Sequence, residues 1–285
     1  MGAYQPGEIA AICKLVHPTF GTITAVGPQH LERFGTVDHI ARAKFELIEA
    51  LPQNGTAFFN ADDAYTGSFL NKTGGRKVVL AGINEIQKAD LVAEEIRTTS
   101  KGLQFMLVNR RSGERMPCSI RLLGRHNISN ILIASAMALE LGMSLRRIAE
   151  RVNCLAPIPH RLQLLERANG VNVIDDAYNS NPVGARNALE TLDSFEEGRK
   201  ILVTPGMVEL GPIEREANFE LGQAAASVCD LVVLVGANRT APIQEGLLAS
   251  GFQPDQIKVV PALQEGIEIL DRYLQPKDTV LFLND

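Results

Sequence analysis

The sequence predicts an α/β protein that contains two successive sheets, and three observations support this class. β-branched and apolar runs of strand length alternate with segments of helical spacing through most of the 285 residues. One stretch in the first half breaks the alternation with several strands that have little helix between them. The apolar content of 45% is enough for two buried cores, and the length favours about two domains.

The first half predicts a parallel sheet followed by an antiparallel flap. Strands are expected at 20–26 and 56–59, with a helix at 37–51 between them. A run of strands then follows, with a hairpin turn at 111–114: 77–81, 91–98, 103–109 and 116–122. Helices at 127–141 and 144–152 complete this half, and Gly142 is expected to close the first of them.

The second half predicts a Rossmann-like, doubly wound parallel sheet. Residues 154–160 contain Pro157 and Pro159 and show no periodicity, which indicates a linker at 154–161 between domains 1–153 and 162–285. Strands then alternate with helices, as in doubly wound folds. The predicted strands are 171–174, 200–203, 231–235, 257–260 and 279–283, and the predicted helices are 183–192, 216–228, 241–249 and 262–273.

Charge, cysteine spacing and hydropathy argue against several classes of function. A net charge of −5 and a pI near 5.6, without clusters of Lys and Arg, argue against nucleic acid as a partner. The cysteines have no paired spacing, so we expect reduced, buried thiols at Cys13, Cys118, Cys154 and Cys229. The apolar runs are too short for membrane insertion and no signal pattern precedes them, which predicts a cytoplasmic location.

Polar motifs follow one another in a fixed order along the chain. They are Gly27-Pro28-Gln29-His30-Leu31-Glu32-Arg33-Phe34-Gly35 with Ala41-Arg42-Ala43-Lys44, then Gly124-Arg125-His126-Asn127-Ile128-Ser129-Asn130, His160-Arg161, and Ile174-Asp175-Asp176-Ala177-Tyr178-Asn179-Ser180-Asn181-Pro182. Together they resemble the Mur ligases, the ATP-dependent amide-forming enzymes of peptidoglycan synthesis. The last motif, with Met207-Val208-Glu209-Leu210-Gly211, looks most like the branch of that family that adds D-Ala-D-Ala.

The resemblance extends from Met1 to Asp285. It implies the latter part of a central ATP-binding domain, followed by most of a C-terminal ligase domain. Mur ligases also carry a Gly-rich phosphate loop that ends in Gly-Lys-Thr or Gly-Lys-Ser, and the nearest segment here, 73–77, lacks its glycine spacing and its hydroxyl. We therefore expect a piece of a longer enzyme, with the missing N-terminal part of that enzyme as its partner, and negligible ATP turnover by this chain alone.

Two catalytic residues are implied at a metal site. His30 follows a strand and a Gly-Pro turn, which places it at the carboxyl edge of the sheet, where ligands of such folds bind. By resemblance, His30 is a magnesium ligand, and Lys44 becomes a second ligand if it is carbamylated. An unmodified, solvated lysine remains the alternative for Lys44, and His39, which has no motif around it, is expected to be a solvated helix residue.

Further residues are implied in nucleotide binding. Asn127 and Asn130 begin a helix, where their amides could cap backbone donors or bind an adenine edge. Asn60 fits an Asx turn as well as it fits a contact with ATP. Arg161 is expected to reach the phosphates as a third catalytic residue, and Asp176 to bind ribose hydroxyls, with a structural salt bridge as the competing account for both.

The loop before Pro182 is a candidate substrate site. Proline is expected to start the next helix at its first turn, which leaves free backbone donors beside Ser180 and Asn181. These two residues are predicted to contact substrate or nucleotide, and Asn179 belongs to the same loop. The expected ligands are a nucleotide, a small peptide and a UDP-sugar substrate.

The resemblance implies a defined reaction. ATP phosphorylates a substrate carboxylate, the incoming amine attacks the acyl phosphate, and magnesium and cationic side chains offset the developing charge. Another ligase of the superfamily, such as folylpolyglutamate synthase or cyanophycin synthetase, is an alternative that the Asp-Asp-x-Tyr-Asn loop disfavours. A naturally short, non-catalytic binding or regulatory protein is the other alternative, and the missing phosphate loop favours it.

Overall fold

A computed structural model describes residues 1–178 and 180–284, and the chain divides into two compact units. The first unit comprises residues 1–97, 103–120 and 125–155. The second unit comprises 98–102, 121–124 and the chain from Ala156 onward. The domain limits at 153/154 and 161/162 stay a prediction.

The first unit is built on one sheet, which in the described part of the chain has six strands in sequential order. These are β1 (Phe20–Ile23), β2 (Thr56–Asn60), β3 (Lys77–Gly82), β4 (Leu91–Thr99), β5 (Gly102–Asn109) and β6 (Arg115–Ile120). Strands β1 to β4 are parallel, with Phe20 opposite Thr56 and Ala81 opposite Leu91, whereas β5 and β6 form an antiparallel hairpin. The predicted parallel sheet and antiparallel flap are thus confirmed, as one continuous sheet.

Helices cover this sheet, and side chains fix where several of them begin. They are α1 (Glu8–Val16), α2 (Leu31–Phe34), α3 (Val37–Glu49), α4 (Thr66–Leu70), α5 (His126–Glu140) and α6 (Leu145–Val152). Thr36 caps α3 and Ser144 caps α6, whereas Gly142 follows α5 with a φ of 86°. Helix α1 has no side-chain cap of its own, and the Glu46 carboxylate accepts from the N–H of Gly7 at 2.6 Å instead.

The second unit contains a sheet with the strand order β11-β10-β9-β12-β8-β7 in its described residues. The strands are β7 (Gln163–Glu166), β8 (Asn172–Asp176), β9 (Lys200–Thr204), β10 (Leu231–Val235), β11 (Ile257–Val260) and β12 (Thr279–Leu283). The helices are α7 (Pro182–Asp193), α8 (Glu214–Ala226), α9 (Ala237–Ala249) and α10 (Leu263–Tyr273). All described pairings are parallel except that of β7 with β8, and strand β12 lies between β8 and β9.

Both faces of the second sheet are buried, as a doubly wound fold requires. Ile174, Leu202 and Leu281 belong to one apolar cluster, while their neighbours Val173 and Ile201 belong to another on the opposite face. This alternation follows from the period of two in a strand. The predicted doubly wound fold is confirmed.

Two contacts hold parts of the second unit close together. Helices α8 and α9 cross at Gly222 and Gly246, where an added Cβ would overlap a backbone carbonyl oxygen of the other helix. At the amino end of the sheet, Asp278 is 2% exposed and accepts hydrogen bonds from Arg199 Nε at 3.2 Å and Nη2 at 2.6 Å. The same guanidinium lies 4.1 Å from the ring centroid of Tyr273.

The thiols differ from the prediction at one position. Cys13, Cys118 and Cys229 are buried, and burial raises the pKa of the Cys118 thiol to about 11. Cys154 is exposed, because it follows the last turn of α6 at the surface, so its predicted burial is wrong. Within the described residues, no helix is both long enough and apolar enough to cross a bilayer.

Candidate functional site

A cavity of about 360 Å³ in the first unit brings His30 and Lys44 together. His30 ends the loop after β1 with a φ of 51° and precedes α2, whereas Lys44 projects from α3. The ring of Tyr4 lies edge-on to the His30 imidazole, with centroids 4.9 Å apart, and the Arg33 guanidinium lies 4.8 Å from the Tyr4 centroid. The structure thus places both predicted metal-site residues in one cavity.

The environment of Lys44 changes its acid–base chemistry. The side chain is half-buried, and Nζ donates to the carbonyl oxygen of Ala25 at 3.1 Å. Burial lowers the pKa of Lys44, and the negative charge of Asp63 opposes that effect. A larger fraction of the amine is therefore neutral at a given pH than in an exposed lysine, and only the neutral amine can attack carbon dioxide.

One carboxylate and one amide at the end of β2 hold the loop that leads to His30. Asp63 accepts from the backbone N–H of Val26 at 2.9 Å and from that of Tyr65 at 2.9 Å. Asn60 Oδ1 accepts from the N–H of Asp62 at 3.1 Å, which is the predicted Asx turn, and its Nδ2 donates to the carbonyl of Thr24 at 3.4 Å. The turn is confirmed, and the contact of Asn60 with ATP stays a prediction.

The fit of magnesium to this cavity depends on the state of Lys44. Mg²⁺ prefers oxygen ligands, and the residues that line the cavity in the described structure include no carboxylate. Within residues 1–178 and 180–284, no group of three or more His, Cys, Asp and Glu side chains is arranged to hold a metal. Carbamylation of Lys44 would add oxygen atoms to the cavity that His30 also lines, and only with them would the lining residues suit a magnesium ion.

The predicted adenine-side residues begin helix α5, as expected. Asn127 is half-buried and Asn130 is exposed, while Arg125 occupies the N-cap position without a side-chain hydrogen bond. His126, which the sequence did not single out, has a buried Nδ1 without a hydrogen-bond partner among the described residues. Burial lowers the pKa of His126. The nucleotide contacts of Asn127 and Asn130 stay predictions.

Arg161 and Asp176 come together in the second unit. The Arg161 guanidinium lies 4.1 Å from the ring centroid of Tyr178, and no salt bridge of Arg161 is found within the described ranges. Asp176 Oδ1 accepts from the N–H of Leu162 at 3.1 Å. Burial raises the pKa of Asp176, while that hydrogen bond and the charge of Arg161 act against the rise. Arg161 thus makes a cation–π contact and also interacts electrostatically with Asp176, so the functional roles of both residues stay predictions beside the structural account.

The loop between β8 and α7 contains the predicted substrate residues. Ser180 is 5% exposed, and its Oγ has no hydrogen-bond partner in the part of the chain that is described. Asn181 caps α7, because its Oδ1 accepts from the N–H of Gly184 at 2.9 Å, and Pro182 occupies the first turn as predicted. Asn179 lies outside the described residues. The substrate contacts of Ser180 and Asn181 stay predictions.

A second loop at the carboxyl edge of this sheet follows β9. Gly206 has a φ of 87°, and the buried Asn218 accepts from the N–H of Met207 at 2.8 Å and donates to its carbonyl at 2.9 Å. A Cβ at Gly206 would lie 2.9 Å from Asn218 Oδ1. A side chain at Gly206 would thus crowd Asn218.

Two family models match this chain. Residues 1–138 match the Mur ligase middle domain, and residues 160–283 match the glutamate ligase domain of Mur ligases. The UDP-N-acetylmuramoyl-tripeptide–D-alanyl-D-alanine ligase of Escherichia coli (strain K12) is 33% identical over 237 residues, which are 83% of this chain and 52% of that protein. The ligase of the same name from Mycobacterium leprae (strain TN) is 29% identical over 305 residues, 99% of this chain and 59% of that protein.

Solved structures agree with these matches. A crystal structure of MurF from Acinetobacter baumannii superposes with a TM-score of 0.85 at 27% identity, over 100% of this chain and 60% of that one. The MurF ligase of Thermotoga maritima in complex with ADP shares the fold, with a TM-score of 0.85 at 24% identity over 100% of this chain and 62% of that one. The chain spans somewhat more than half the length of these relatives.

Proposed function

This chain belongs to the Mur ligase family, and we propose that it is part of an ATP-dependent ligase of peptidoglycan precursor synthesis. The reaction would join D-Ala-D-Ala to a UDP-N-acetylmuramoyl peptide. In the first step a peptide carboxylate oxygen attacks the terminal phosphorus of ATP, which gives an acyl phosphate and ADP. The amine of D-Ala-D-Ala then attacks the acyl carbon, so that phosphate leaves, a proton is lost and an amide forms.

The observation that carries the proposal is the shared cavity of His30 and Lys44. The lowered pKa of Lys44 favours its carbamylation, which replaces an ammonium with a carboxylate-like group beside the imidazole. Magnesium, when bound to these two residues, would offset the charge on the transferring phosphoryl oxygens. Its remaining ligands would have to come from the nucleotide, from water or from other parts of the enzyme.

The other predicted residues divide between nucleotide and substrate. Asn127 and Asn130 would offer amides to the adenine, and Arg161 would offset charge on the phosphates. Asp176, whose Oδ1 accepts from Leu162, has its second carboxylate oxygen left for a ribose hydroxyl.

The substrate loop and Asn60 complete the proposed set. Ser180 brings a buried hydroxyl that lacks a partner among the described residues, and the amide nitrogen of Asn181 remains for substrate because its oxygen caps α7. Asn60 would contact ATP from the turn after β2. The cytoplasmic location stays a prediction.

An amine-substrate panel tests the reaction. Phosphate release from ATP should be measured with the UDP-N-acetylmuramoyl tripeptide and either D-Ala-D-Ala, glutamate or arginine, in the protein made from the longest reading frame that contains this sequence. We expect release only with D-Ala-D-Ala. Release with glutamate or arginine instead would contradict the proposed amine substrate and would favour another amino-acid-adding ligase of the superfamily.

The same assay on the 285 residues alone tests a non-catalytic role. No Gly-Lys-Thr or Gly-Lys-Ser loop occurs in these residues, so negligible turnover is expected. Normal ligase activity of this chain by itself would contradict that expectation. If the protein made from the longest reading frame also lacks the phosphate loop and shows no activity, a binding or regulatory role would be favoured.

A further inference from the structure

Residues 160–162 in the second unit are held by two successive aspartates of strand β8. His160 Nδ1 lies 2.9 Å from Asp175 Oδ2, and the N–H of Leu162 donates to Asp176 Oδ1 at 3.1 Å. Because a carboxylate only accepts, the imidazole must donate from Nδ1. Neighbouring residues of a strand point to opposite faces, so the two carboxylates hold the segment from both sides.

The backbone of this segment needs such support. His160 has a φ of 60° and Leu162 a φ of 46°, in the left-handed region that side-chain-bearing residues rarely occupy. Backbone of this kind persists where the surrounding structure fixes it. The contacts of Asp175 and Asp176 are with the two left-handed residues themselves, so these carboxylates fix the path of the chain on both sides of Arg161.

The side chain of Arg161 is fixed from the same strand end. Its guanidinium lies over the ring of Tyr178, which comes three residues after Asp175. The N–H groups of a guanidinium lie along the edge of its own plane. When the guanidinium packs on an aromatic face, that edge remains free to bind an anion bidentately. Among the described residues the Arg161 guanidinium makes no salt bridge, although its charge acts on Asp176, so its N–H groups are available to a ligand.

We propose that His160 and Asp175 are positioning residues that, together with Asp176, aim Arg161 at the phosphates of the bound nucleotide. The inference rests on the proposed function, which supplies a nucleotide as the ligand. In this account the His160–Asp175 pair positions Arg161 without contacting the ligand. Asp176 helps to position Arg161 in addition to any contact with ribose.

Two substitutions separate the hydrogen bond from the backbone conformation. His160→Gly tolerates a positive φ but removes the donor, whereas His160→Asn tolerates a positive φ and keeps a donor near the position of Nδ1. ADP and adenosine are the probes, titrated into the 285-residue chain and followed by NMR chemical shifts. We expect H160G to weaken ADP binding by about three- to tenfold without changing adenosine binding, and H160N to stay within about twofold of wild type.

Controls make the outcome specific. Arg215→Ala removes an exposed ion pair with Glu245 elsewhere in the same unit and should leave both affinities unchanged. Asp175→Ala, which removes the oxygen atoms that accept from His160, serves as the second variant if H160G does not fold. It should also weaken ADP selectively.

The failure of this inference and the failure of the proposed function give different results. The positioning role alone would be overturned if Arg161→Gln weakens ADP binding but H160G binds ADP as tightly as wild type. The same conclusion would follow if H160G loses equal affinity for ADP and for adenosine. If wild type binds ADP no better than adenosine and R161Q changes nothing, the phosphate contact of Arg161 is itself wrong, and the positioning role is overturned with it.

Discussion

Burial decides what the Lys44 side chain can do. The folded chain lowers the pKa of Lys44, whereas the unfolded chain returns the side chain to water and its ordinary pKa of 10.5. In the window below 10.5 the unfolded state therefore binds more protons than the folded state. The contribution of Lys44 to stability consequently rises with pH through that window.

Replacing Lys44 should remove this pH dependence. The free energy of unfolding of wild type minus that of Lys44→Met should increase from neutral pH towards 10.5. Urea unfolding of both proteins at several pH values measures this difference in free energy. Lys72→Met, which makes the same substitution at an exposed lysine, is the matched control. A flat difference for Lys44→Met would show that burial does not affect this amine.

The same lowered pKa predicts a modification. In buffer with ¹³C-labelled bicarbonate, the wild-type chain should show a carbamate carbon signal that grows as the pH rises towards the folded pKa of Lys44. Lys44→Arg, which keeps the charge but cannot react in this way, should lack the signal. An unchanged carbamate signal in Lys44→Arg would place the modification on another amine.

Arg199 and Asp278 form a pair whose loss should be costly. Burial alone would raise the pKa of Asp278, but hydrogen bonds from Arg199 and from the N–H of Gln275 leave it lowered. A lowered carboxyl pKa stabilises the fold above the ordinary value of 3.8, and this stabilisation is lost as the pH falls through the folded pKa.

Arg199→Met should therefore destabilise the chain by about 3 kcal/mol at neutral pH, because it leaves a buried carboxylate without its partner. The cost should shrink as the pH falls through the lowered pKa of folded Asp278, where the carboxyl becomes protonated. Urea unfolding at pH 7 and in acid measures both values. Equal costs at the two pH values would mean that the lost packing of Arg199 against Tyr273 dominates.

At the scale of elements, helices α8 and α9 depend on two glycines. The Cβ of an alanine at Gly222 would meet the carbonyl of Ile243, and that of an alanine at Gly246 would meet the carbonyl of Phe219. Backbone cannot yield as a flexible side chain can, so the helices would have to move apart. Their contact with the buried core of the second unit would loosen as a result.

Either Gly222→Ala or Gly246→Ala should lower the free energy of unfolding by about 1–3 kcal/mol. Gly184→Ala in α7 is the control in the same unit, since its Cβ would make only ordinary contacts, the nearest at 3.6 Å. That variant should be neutral or slightly stabilising, because alanine favours the helix. Urea unfolding followed by circular dichroism compares them, and equal stability of all three variants would contradict the close crossing.

Elements with strong periodicity could be predicted from the sequence, and weakly patterned ones could not. Strands β10 and β12 begin and end as predicted because each is an apolar run between polar residues. Strand β1 ends at Ile23 rather than at residue 26, since Asn60 and Asp63 bind the backbone of the following residues from a distant turn. Helix α1 was missed because its cap, Glu46, comes from another helix.

At the scale of the whole molecule, the motifs predicted the residues of the candidate site better than they predicted the contacts that hold the surrounding loops in place. His30 and Lys44 were expected at one site because both belong to motifs of a known family, and they line one cavity. Asn218 and the His160–Asp175 pair were not expected, because their partners are backbone groups and side chains that only the folded chain brings near. Such contacts leave no local pattern in a sequence.

The central claim is that His30 and Lys44 form the metal-binding part of a ligase active site. Manganese, a paramagnetic substitute for magnesium, tests it most directly when it is titrated into the isotope-labelled chain with ADP and bicarbonate and the NMR line widths are recorded. We predict broadening centred on His30 and Lys44, and its loss in Lys44→Arg. Broadening centred elsewhere, or unchanged in Lys44→Arg, would contradict the claim.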